Sequence, residues 1–453
     1  MARAKKEAVL TPKERLQAAL VPDWEWPYKL PENWCWTRLG SVSTIVGGGT
    51  PSSGVAEYYE NGTIPWISPA DLSGYSDMYI SHGAKNITEF GLEKSSARLM
   101  PAGTVCLSSR APIGYVVIAQ NDISTNQGFK SMLPSPCFIS EYLYWYLKGN
   151  KELLESYASG TTFLEISGGK TAQVEFPLAP LAEQQRIVDR IESLFSKLDE
   201  AKEKAQAVVD SFETRKAAIL HKAFTGELTA KWREEHGVVM ESWEKYKFNE
   251  LGTLERGRSK HRPRNDPKLF GGKYPFIQTG DVARSGMYIT EHTQTLSEVG
   301  AEQSKLFPKG TLCITIAANI GDVSILTYDC CFPDSVVGFT PNERTLSEYI
   351  YYLMSTLQRE IEANAPATAQ KNINLRILND LLLDIPSVAE QTQIVNQVEY
   401  LFFQEQHAKE AAEAVLDQID LIKKSILARA FRGELGTNDP SEESAVELLK
   451  QIF

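Results

Sequence analysis

One segment occurs twice in this chain: residues 181–228 read LAEQQRIVDRIESLFSKLDEAKEKAQAVVDSFETRKAAILHKAFTGEL, and residues 388–435 read VAEQTQIVNQVEYLFFQEQHAKEAAEAVLDQIDLIKKSILARAFRGEL. The copies align without a gap at an offset of 207 residues (388 minus 181), and about half of the aligned positions are identical. Chance does not produce such a match over this length, so the segment is an internal repeat. The chain therefore consists of two units, each with a variable globular region followed by a shared segment.

Both copies of the segment have the pattern of a long amphipathic helix. Apolar residues recur every three or four positions along each copy, which is typical of a helix with one apolar face. Pro180 and Pro386 stand just before the copies, and Gly226 and Gly433 stand where a glycine closes a helix. Each helix is predicted to have about 40–45 residues and a length of roughly 65 Å. Matching apolar stripes predict that the two helices pack on each other as a coiled coil; the alternative is that each packs on its own domain.

The globular regions have a different character, with short β-branched runs between glycines, prolines and aromatic residues. Residues 104–107, 115–118 and 313–316 predict strands that are bounded by turns. Residues 142–147 and 349–354 predict one helix in each region. The predicted fold class is therefore α+β: two globular mixed α/β domains are separated by two long helices in a pseudo-two-fold internal repeat. Such a two-fold relation would make the coiled coil antiparallel.

Composition limits the possible functions. The 453 residues include 47 lysines and arginines against 58 aspartates and glutamates, so the formal net charge is −11. This balance argues against a protein that binds nucleic acid by charge alone, although it leaves room for a local basic surface. The six cysteines form no C-x-x-C pair, so neither a zinc site nor a disulfide framework is indicated. The sequence contains no apolar signal region and no run of about 18 apolar residues, so we expect a cytoplasmic protein with no membrane segment.

Motifs for catalysis are missing from the sequence. No two of the six histidines have the spacing of a metal pair, and no H-E-x-x-H motif occurs. There is also no glycine-rich cofactor loop of the dinucleotide type. We therefore expect no catalytic residue, no metal site and no cofactor bound by this chain. Together these absences favour a binding or scaffold protein, and an unrecognised enzyme stays as the alternative.

The densest positive run lies in the second globular region. It contains a single acid, Asp266, and eight basic residues: Arg256, Arg258, Lys260, His261, Arg262, Arg264, Lys268 and Lys273. Pro263 and Pro267 indicate that this run is a loop. In an otherwise acidic protein such a loop favours contacts with phosphates and base edges, and the alternative is a solvated charged surface. The corresponding residues of the first region, 47–53, are neutral, so the two halves differ where a ligand would bind.

These patterns give a set of candidate DNA contacts. In the second domain the candidates are Arg256, Arg258, Lys260, Arg262, Arg264, Asn319 and Lys371. In the first domain the equivalent loop lacks cations, so contacts must come from elsewhere. The candidates there are Arg110, Asn126, Gln127, Thr162 and Lys170.

The whole arrangement resembles the specificity subunit of type I restriction-modification enzymes. The resemblance is carried by PLAEQ at residues 180–184 and VAEQ at 388–391, together with AFTGEL at 223–228 and AFRGEL at 430–435. The tail EESAVELL at 442–449 looks like that of the subfamily with a C-terminal helix after the second conserved region. A single A-E-Q motif is weak evidence for this family, whereas the duplicated set of motifs at a constant separation is specific. The similarity covers nearly the whole chain.

The resemblance implies a mechanism. Each globular domain would be a target-recognition domain that reads one half of a bipartite site in double-stranded DNA. The helices would set the spacing between the readers and dock two methyltransferase subunits, which would bring S-adenosylmethionine. Restriction and translocase subunits would bring ATP and Mg, and this chain would be the non-catalytic component. The alternative from another class is a duplicated structural adaptor that binds only protein.

Six segments follow from the repeat and the resemblance. They are a charged N-terminal extension (1–30), target-recognition domain 1 (31–178), spacer helix 1 (179–236), target-recognition domain 2 (237–385), spacer helix 2 (386–436) and a C-terminal tail helix (437–453). The sequence assigns no role to the N-terminal extension.

Overall fold

The chain folds into two compact units, each of which takes residues from both repeats. The computed structural model describes residues 11–160, 164–260, 263–317, 321–363 and 375–453. The first unit combines Met1–Lys204 with Val415–Phe453, and the second unit is Ala205–Ala414. Each unit therefore contains one globular domain, the beginning of the long helix that follows this domain, and the end of the other long helix.

The globular domain of the first unit is built on a five-stranded sheet. Its strands are β1 (Cys35–Arg38), β2 (Ile45–Gly47), β3 (Ile64–Ile67), β4 (Tyr79–Ile80), β5 (Lys85–Ile87), β6 (Val105–Ser109), β7 (Ile113–Ala119), β8 (Ser124–Thr125), β9 (Phe129–Met132) and β10 (Glu175–Leu178). The main sheet has the order β2-β9-β6-β7-β4, a smaller sheet has the order β5-β3-β8, and β1 pairs with β10. The strands predicted from residues 104–107 and 115–118 are confirmed as β6 and β7.

Short helices accompany these strands, and one of them, α4, contributes six consecutive buried residues to the core. The helices up to residue 173 are α1 (Pro12–Ala19), α2 (Leu39–Val42), α3 (Glu89–Glu93), α4 (Ser140–Gly149), α5 (Lys151–Ser156) and α6 (Gly168–Gln173). Helix α4 contains the predicted helix at 142–147, whose six residues are all buried. Two of its tyrosines are also anchored, because the hydroxyl of Tyr142 donates to the Pro177 carbonyl (2.8 Å) and that of Tyr146 to the Glu175 carbonyl (2.6 Å).

The first long helix is interrupted, contrary to the prediction of one helix of about 40–45 residues. It consists of α7 (Leu181–Asp210) and α8 (Phe212–Phe224), and α9 (Ala230–His236) follows. The interruption lies at Ser211, whose hydroxyl donates to the Ala207 carbonyl at 2.5 Å. The guanidinium of Arg215 donates to the Val208 carbonyl at 3.0 Å, the carbonyl that the Phe212 amide would use in a regular helix. Side chains thus compete with the backbone for the helical bonds at this point.

The globular domain of the second unit repeats the main sheet of the first and has one more strand in its smaller sheet. Its strands are β11 (Glu244–Lys247), β12 (Gly252–Arg256), β13 (Phe270–Phe276), β14 (Tyr288–Ile289), β15 (Gln294–Leu296), β16 (Leu306–Phe307), β17 (Leu312–Thr315), β18 (Val323–Leu326), β19 (Cys330–Cys331), β20 (Val336–Pro341) and β21 (Leu382–Ile385). The main sheet has the order β12-β20-β17-β18-β14, the second has the order β15-β13-β19-β16, and β11 pairs with β21. Position by position, the main sheet matches that of the first domain.

The remaining helices complete the second unit and the C-terminal part of the first. They are α10 (Thr279–Arg284), α11 (Glu298–Gln303), α12 (Ser347–Ala363), α13 (Leu375–Asn379), α14 (Val388–Ala430) and α15 (Val446–Ile452). Helix α14 is the second long helix and runs without interruption. The predicted glycine caps are confirmed, because Gly226 and Gly433 follow the helix ends with φ of 78° and 73°.

Within each unit the two long helical segments run antiparallel. In the first unit Lys423 forms an ion pair with Asp199, while Arg186, nearer the start of α7, pairs with Glu442 beyond the end of α14. In the second unit Glu390 near the start of α14 pairs with Arg233 beyond the end of α8, and Glu405 farther along α14 pairs with Arg215 nearer the start of α8. The predicted fold class, with two mixed α/β domains and an antiparallel pair of long helices, is confirmed.

The N-terminal and C-terminal segments pack together in the first unit. Thr11 caps α1 and forms a capping box with Glu14. Leu16 of α1 and Leu449 of α15 belong to the same apolar cluster, and the Ala445 amide donates to the Asn33 carbonyl at 2.9 Å. The N-terminal extension, to which the sequence assigned no role, thus helps to cover the core of the first unit from residue 11 onward. No helix in the described part of the chain is long and apolar enough to cross a membrane.

Candidate nucleic-acid interface

A buried glutamine fastens the start of each long helix to its own globular domain. In the first unit the amide nitrogen of Gln184 donates to the carbonyls of Cys137 (2.9 Å) and Ala179 (2.8 Å). Its amide oxygen accepts from the Ile139 amide just before α4 (3.0 Å). Because these bonds satisfy both ends of a fully buried amide, they fix the angle at which the helix leaves the domain.

The second unit repeats this anchor. Gln391 donates to the carbonyls of Arg344 and Pro386, both at 2.9 Å, and accepts from the Leu346 amide at 2.9 Å. The glutamine of the repeated A-E-Q motif therefore has a structural role that is the same in both copies. It does not belong to a ligand site.

The glutamate of the same motif joins the start of one long helix to the segment beyond the end of the other. Glu390 is fully buried and accepts hydrogen bonds from Thr229 (2.7 Å), Arg233 (2.6 Å) and the indole of Trp243 (3.1 Å). Arg233 is also nearly buried, with 9% of its side chain exposed. The buried carboxylate therefore accepts from three side-chain donors, and the ion pair links the start of α14 to α9 within the second unit.

Glu183 makes the equivalent connection in the first unit with a weaker set of partners. Its carboxylate accepts from Thr437 and Arg186, both at 2.7 Å, and Arg186 also pairs with Glu442. Burial raises the pKa of the Glu183 carboxyl, while the hydrogen bonds from Thr437 and Arg186 oppose that rise. Since 38% of the Arg186 side chain is exposed, this pair is partly hydrated.

The two domains can be compared residue by residue because their sheets share one register. Met132 lies opposite Val105 in the first domain, and Phe339 lies opposite Leu312 in the second. It follows that β2 corresponds to β12 and β4 to β14, at opposite edges of the main sheet. We call β2 or β12 with the loop that follows it the variable edge, and β4 or β14 with the adjacent acidic residues the shared edge.

The variable edge of the second domain carries most of the basic run predicted as a loop at residues 256–273. That prediction is wrong at both ends, because Arg256 is the last residue of β12 and Lys273 lies on β13. We call residues 256–268 the basic loop. Arg256 donates to the backbone carbonyl of Asp334, and Arg264 forms an ion pair with the Asp334 carboxylate at 2.8 Å. The Arg258 amide donates to the Phe332 carbonyl at 3.2 Å. The turn before β20 therefore holds the loop in place, while the side chains of Arg258 and Lys260 are exposed. Such a surface can contact both phosphates and base edges.

The variable edge of the first domain has a neutral loop, and its cations come from neighbouring segments. Lys130 on β9 lies within 3.4 Å of both Glu165 and the Gln127 carbonyl, and within 3.2 Å of the Ser109 hydroxyl. Arg110 approaches the same Glu165 carboxylate at 3.7 Å. Arg110 and Gln127, two of the predicted candidates, thus lie close to Lys130, which the sequence analysis did not include among the candidates.

At one equivalent position beside the variable edge, the cation lies on different strands in the two domains. It is Lys130 on β9 in the first domain and Arg256 on β12 in the second. Gly47 pairs across the ladder with Lys130 in the first domain, and Arg256 pairs with Val337 in the second. The shared register makes these two pairs equivalent, so each pair has one cation, on opposite strands. A pattern along one strand cannot reveal this exchange, because Lys130 is a single lysine between Phe129 and Ser131. Only the pairing of β2 with β9 shows it.

The other candidates fall into two groups. Asn126 uses its side-chain oxygen within its own turn, where it accepts from the Gly128 amide at 2.8 Å. Lys170 lies in the first turn of α6 with its side chain exposed. Four further candidates lie outside the described residues: Thr162, Arg262, Asn319 and Lys371.

The shared edge carries the same acidic and aromatic residues in both domains. In the first, the hydroxyl of Tyr79 on β4 donates to Glu141. Burial, followed by Glu141 and then Glu192 on α7, raises the pKa of Tyr79. Tyr79 and Glu192 are exposed. This edge is therefore an acidic surface with an aromatic ring at its centre.

The second domain has the equivalent residues in the equivalent places. The hydroxyl of Tyr288 on β14 donates to Glu348 at 3.3 Å, and burial, Glu348 and then Glu399 on α14 raise its pKa. Sequence reasoning missed this set, although the repeat offset of 207 relates Glu141 to Glu348 and Glu192 to Glu399. Acidic residues repel phosphates, so the shared edge is a poor surface for DNA.

Comparison with known proteins confirms the resemblance that the sequence predicts. The family model described as the type I restriction modification DNA specificity domain matches residues 31–209 and again residues 240–412. The EcoKI specificity subunit of Escherichia coli strain K12 is 24% identical over 461 residues, which cover 94% of this chain and 96% of that subunit.

An archaeal relative and a solved structure show the same similarity. The MjaIX specificity subunit of Methanocaldococcus jannaschii is 33% identical over 283 residues, which cover 61% of this chain and 64% of the relative, less than two thirds of its length. The crystal structure of the HsdS subunit from Thermoanaerobacter tengcongensis is similar with a TM-score of 0.66 and 19% identity, covering 91% of this chain and 100% of that one. This likeness supports the fold.

Proposed function

We propose that this chain, which belongs to the family of type I restriction modification DNA specificity domains, selects the DNA sequence on which a type I restriction-modification complex acts. We expect this complex to act in the cytoplasm. The family is a non-catalytic, DNA-recognising one. Each globular domain would read one half of a bipartite duplex site, and the long helices would set the spacing between the halves. The observation that carries this proposal is the contrast between a variable edge and a shared edge on one and the same sheet.

Base readout is assigned to the variable edge. Two domains that read different half-sites must differ at the residues that touch bases, whereas their scaffold can stay the same. The main sheets match strand for strand, yet the loop after β2 is neutral and the loop after β12 is cationic. The basic loop lies at this edge in the second domain, and in the first domain Lys130 lies on β9, the strand paired with β2, with Arg110 nearby.

Partner docking is assigned to the shared edge and the helix face beside it. A partner that is present in two equivalent copies must meet the same residues in both units. Glu192 with Tyr79 and Glu399 with Tyr288 meet this requirement, and their charge suits a basic partner surface. We propose that one methyltransferase subunit docks on each unit. These partners would carry S-adenosylmethionine, and restriction and translocase subunits would carry ATP and Mg.

Substitutions in the basic loop test base readout. We expect Arg258→Ala to weaken specific binding by about 1–3 kcal/mol if the guanidinium pairs with guanine O6 and N7, and to relax one position of the site. We expect Lys260→Ala to weaken binding to all sequences alike and to lower the salt slope by about 1, because an ammonium group contacts phosphate as a point charge. The measurement is duplex binding by the whole complex, on specific and scrambled DNA, over a salt series.

Two matched variants make this result interpretable. Lys245→Ala removes a lysine from β11, which pairs with β21 outside the main sheet, and it should leave both affinities unchanged. Arg264→Ala should have an intermediate effect, because this guanidinium is already paired with Asp334. If Arg258→Ala and Lys260→Ala both bind like the parent at every salt concentration, the basic loop is only a solvated surface and the assignment is wrong.

Charge reversal on the long helices tests partner docking. We expect Glu192→Lys and Glu399→Lys each to reduce the complex from two methyltransferase subunits to one, and the double variant to abolish assembly, because each lysine would repel the basic partner surface. Native mass spectrometry of the co-purified complex gives the stoichiometry. Both glutamates are exposed, so the fold should tolerate the changes.

Control variants reverse charges elsewhere in the same units. Glu152→Lys on α5 and Glu234→Lys on α9 alter exposed acids outside the shared edge and should leave two partners bound. Unchanged stoichiometry in the Glu192→Lys and Glu399→Lys double variant would contradict the docking assignment.

A genome-wide experiment tests the function as a whole. Methylated adenines are mapped with and without the gene for this chain, and the expected result is the loss of one bipartite motif. Retention of every motif, together with no binding of the co-purified complex to any duplex, would favour the alternative of an adaptor that binds only protein.

A further inference from the structure

The second domain contains a cavity that the proposed readout of half-sites does not require. Its volume is about 460 Å³, within the usual size range of small-molecule sites. Its rim includes the cations Arg258, Lys260 and Arg264, and its wall includes the apolar side chains of Phe276 and Leu296. All of these residues belong to the second unit, so the cavity is formed within one compact body.

The two domains differ at one residue of the cavity wall. The shared register makes Phe276 on β13 equivalent to Trp66 on β3, since each lies two residues beyond a residue paired with Leu296 or Ile87. The indole nitrogen of Trp66 donates to the Gly49 carbonyl at 2.9 Å and so bridges the strand and the neutral loop. Phe276 is smaller and has no such donor, and the space between this ring and the basic loop stays open.

The polar lining of the cavity includes amide side chains, two of which are bonded to each other. The Gln278 amide donates to the Gln294 amide oxygen at 2.7 Å. Each of these amides has a further polar atom beyond this bond, and amides are the side chains that pair with base edges. The site therefore combines an aromatic wall, base-pairing amides and a cationic rim.

We propose that this cavity binds a single nucleotide. The base would lie against Phe276 and Leu296, with its edge toward Gln278 and Gln294, and the phosphate would sit at the cationic rim. An aromatic wall suits every base because each has a π face, and the cations suit phosphate. The nucleotide has two possible sources: a free nucleotide from solution, or one nucleotide turned out of a DNA duplex. The second source rests on the proposed function, and the first does not.

Two binding measurements on the full chain separate the sources. The first uses the four 5′-deoxynucleoside monophosphates as ligands of the chain in calorimetric titration. The second uses the chain in complex with its methyltransferase partners and compares a paired duplex with the same duplex carrying one unpaired nucleotide. If the cavity takes its nucleotide from DNA, the bulged duplex should bind about tenfold more tightly or better, because its extra nucleotide needs no unpairing.

Variants at the cavity decide between a specific site and general charge attraction. Phe276→Trp copies the sister domain, places a larger ring where the base would stack and keeps all three cations, and it should abolish the preference for the bulge and any binding of mononucleotides. Gln294→Leu alters an exposed residue and should weaken the same readouts even if the tryptophan variant folds poorly. Lys309→Gln removes an exposed cation of the same domain that lies outside both the basic loop and the cavity lining, and it should leave the preference unchanged.

Each outcome has a definite meaning. A bulge preference that Phe276→Trp removes supports the DNA source, and binding of mononucleotides without such a preference supports a free nucleotide. The proposal is overturned if the parent shows neither effect, or if both cavity variants keep whichever effect it shows. If the complex binds paired duplex but shows neither a bulge preference nor mononucleotide binding, the proposed function stays intact. That result rejects only the proposal that the cavity binds a nucleotide. A complex that binds no duplex rejects the proposed function, and the mononucleotide titration then decides on the cavity alone.

Discussion

Replacing Glu390 with alanine is expected to destabilise the second unit by about 3–5 kcal/mol, because it leaves the nearly buried Arg233 without its counter-ion. Thr229 and the Trp243 indole lose their acceptor in the same step. The segment around α9 should then detach from the start of α14. Urea unfolding measures the loss of stability, and hydrogen exchange in peptides from residues 205–414 shows where in the chain it occurs.

The sister glutamate provides the comparison. Glu183→Ala should cost less, about 1–2 kcal/mol, because Arg186 is 38% exposed, keeps Glu442 as a partner and can be hydrated. Adding Arg233→Met to Glu390→Leu should recover part of the stability, since the buried charge is then removed together with its partner. Equal losses for Glu390→Ala and Glu183→Ala would show that burial of the arginine is not the cause.

Phe431→Ala is expected to destabilise the first unit by about 3–5 kcal/mol, the usual cost of deleting a buried phenylalanine ring. Phe431 is 1% exposed, and its ring lies 5.1 Å from the rings of both Tyr142 and Tyr146 on α4. The ring therefore links the end of α14 to the core of the first domain. Its loss opens a cavity beside two tyrosines whose hydroxyls are bonded to β10, which opposes collapse of the rings into the space.

The equivalent phenylalanine of the first copy should be less sensitive. Phe224 is only half-buried and contacts Tyr349 at 5.4 Å between ring centroids, so Phe224→Ala should cost roughly half as much. Thermal unfolding of both variants, with Phe431→Leu as the conservative control, checks the order. A larger loss for Phe224→Ala than for Phe431→Ala would contradict it.

The sequence predicted those parts of the fold that depend on periodicity and on backbone conformation. Repetition of A-E-Q and of A-F-x-G-E-L located both long helices, and Gly226 and Gly433 marked their ends because only glycine adopts a positive φ freely. The break at Ser211 was not predicted. It depends on a side chain four residues away, Arg215, reaching a backbone carbonyl, and the apolar stripe continues past it unchanged.

The candidate site could be predicted only where charge is concentrated along the chain. The basic loop stood out because its cations are close in sequence. Lys130 did not, since its significance depends on the strand that lies beside it and on the glycine that faces it. Tyr79 and Tyr288 were missed for a similar reason, as each is one exposed ring in a short edge strand. Their meaning appears only when the two domains are compared in register.

The composition of the first unit from two distant parts of the chain has a consequence for biosynthesis. Residues 415–453 belong to this unit together with residues up to 204, and Tyr28 and Asn33 bond to Phe431 and Asp439 across more than 400 positions. At about 5–20 residues per second, the ribosome needs roughly 10–40 s to travel from one part to the other. The second unit, Ala205–Ala414, is continuous and can complete its fold during this time. The domain that emerges first is therefore the one that is finished last, and its uncovered core must be kept from aggregating while the rest of the chain is translated.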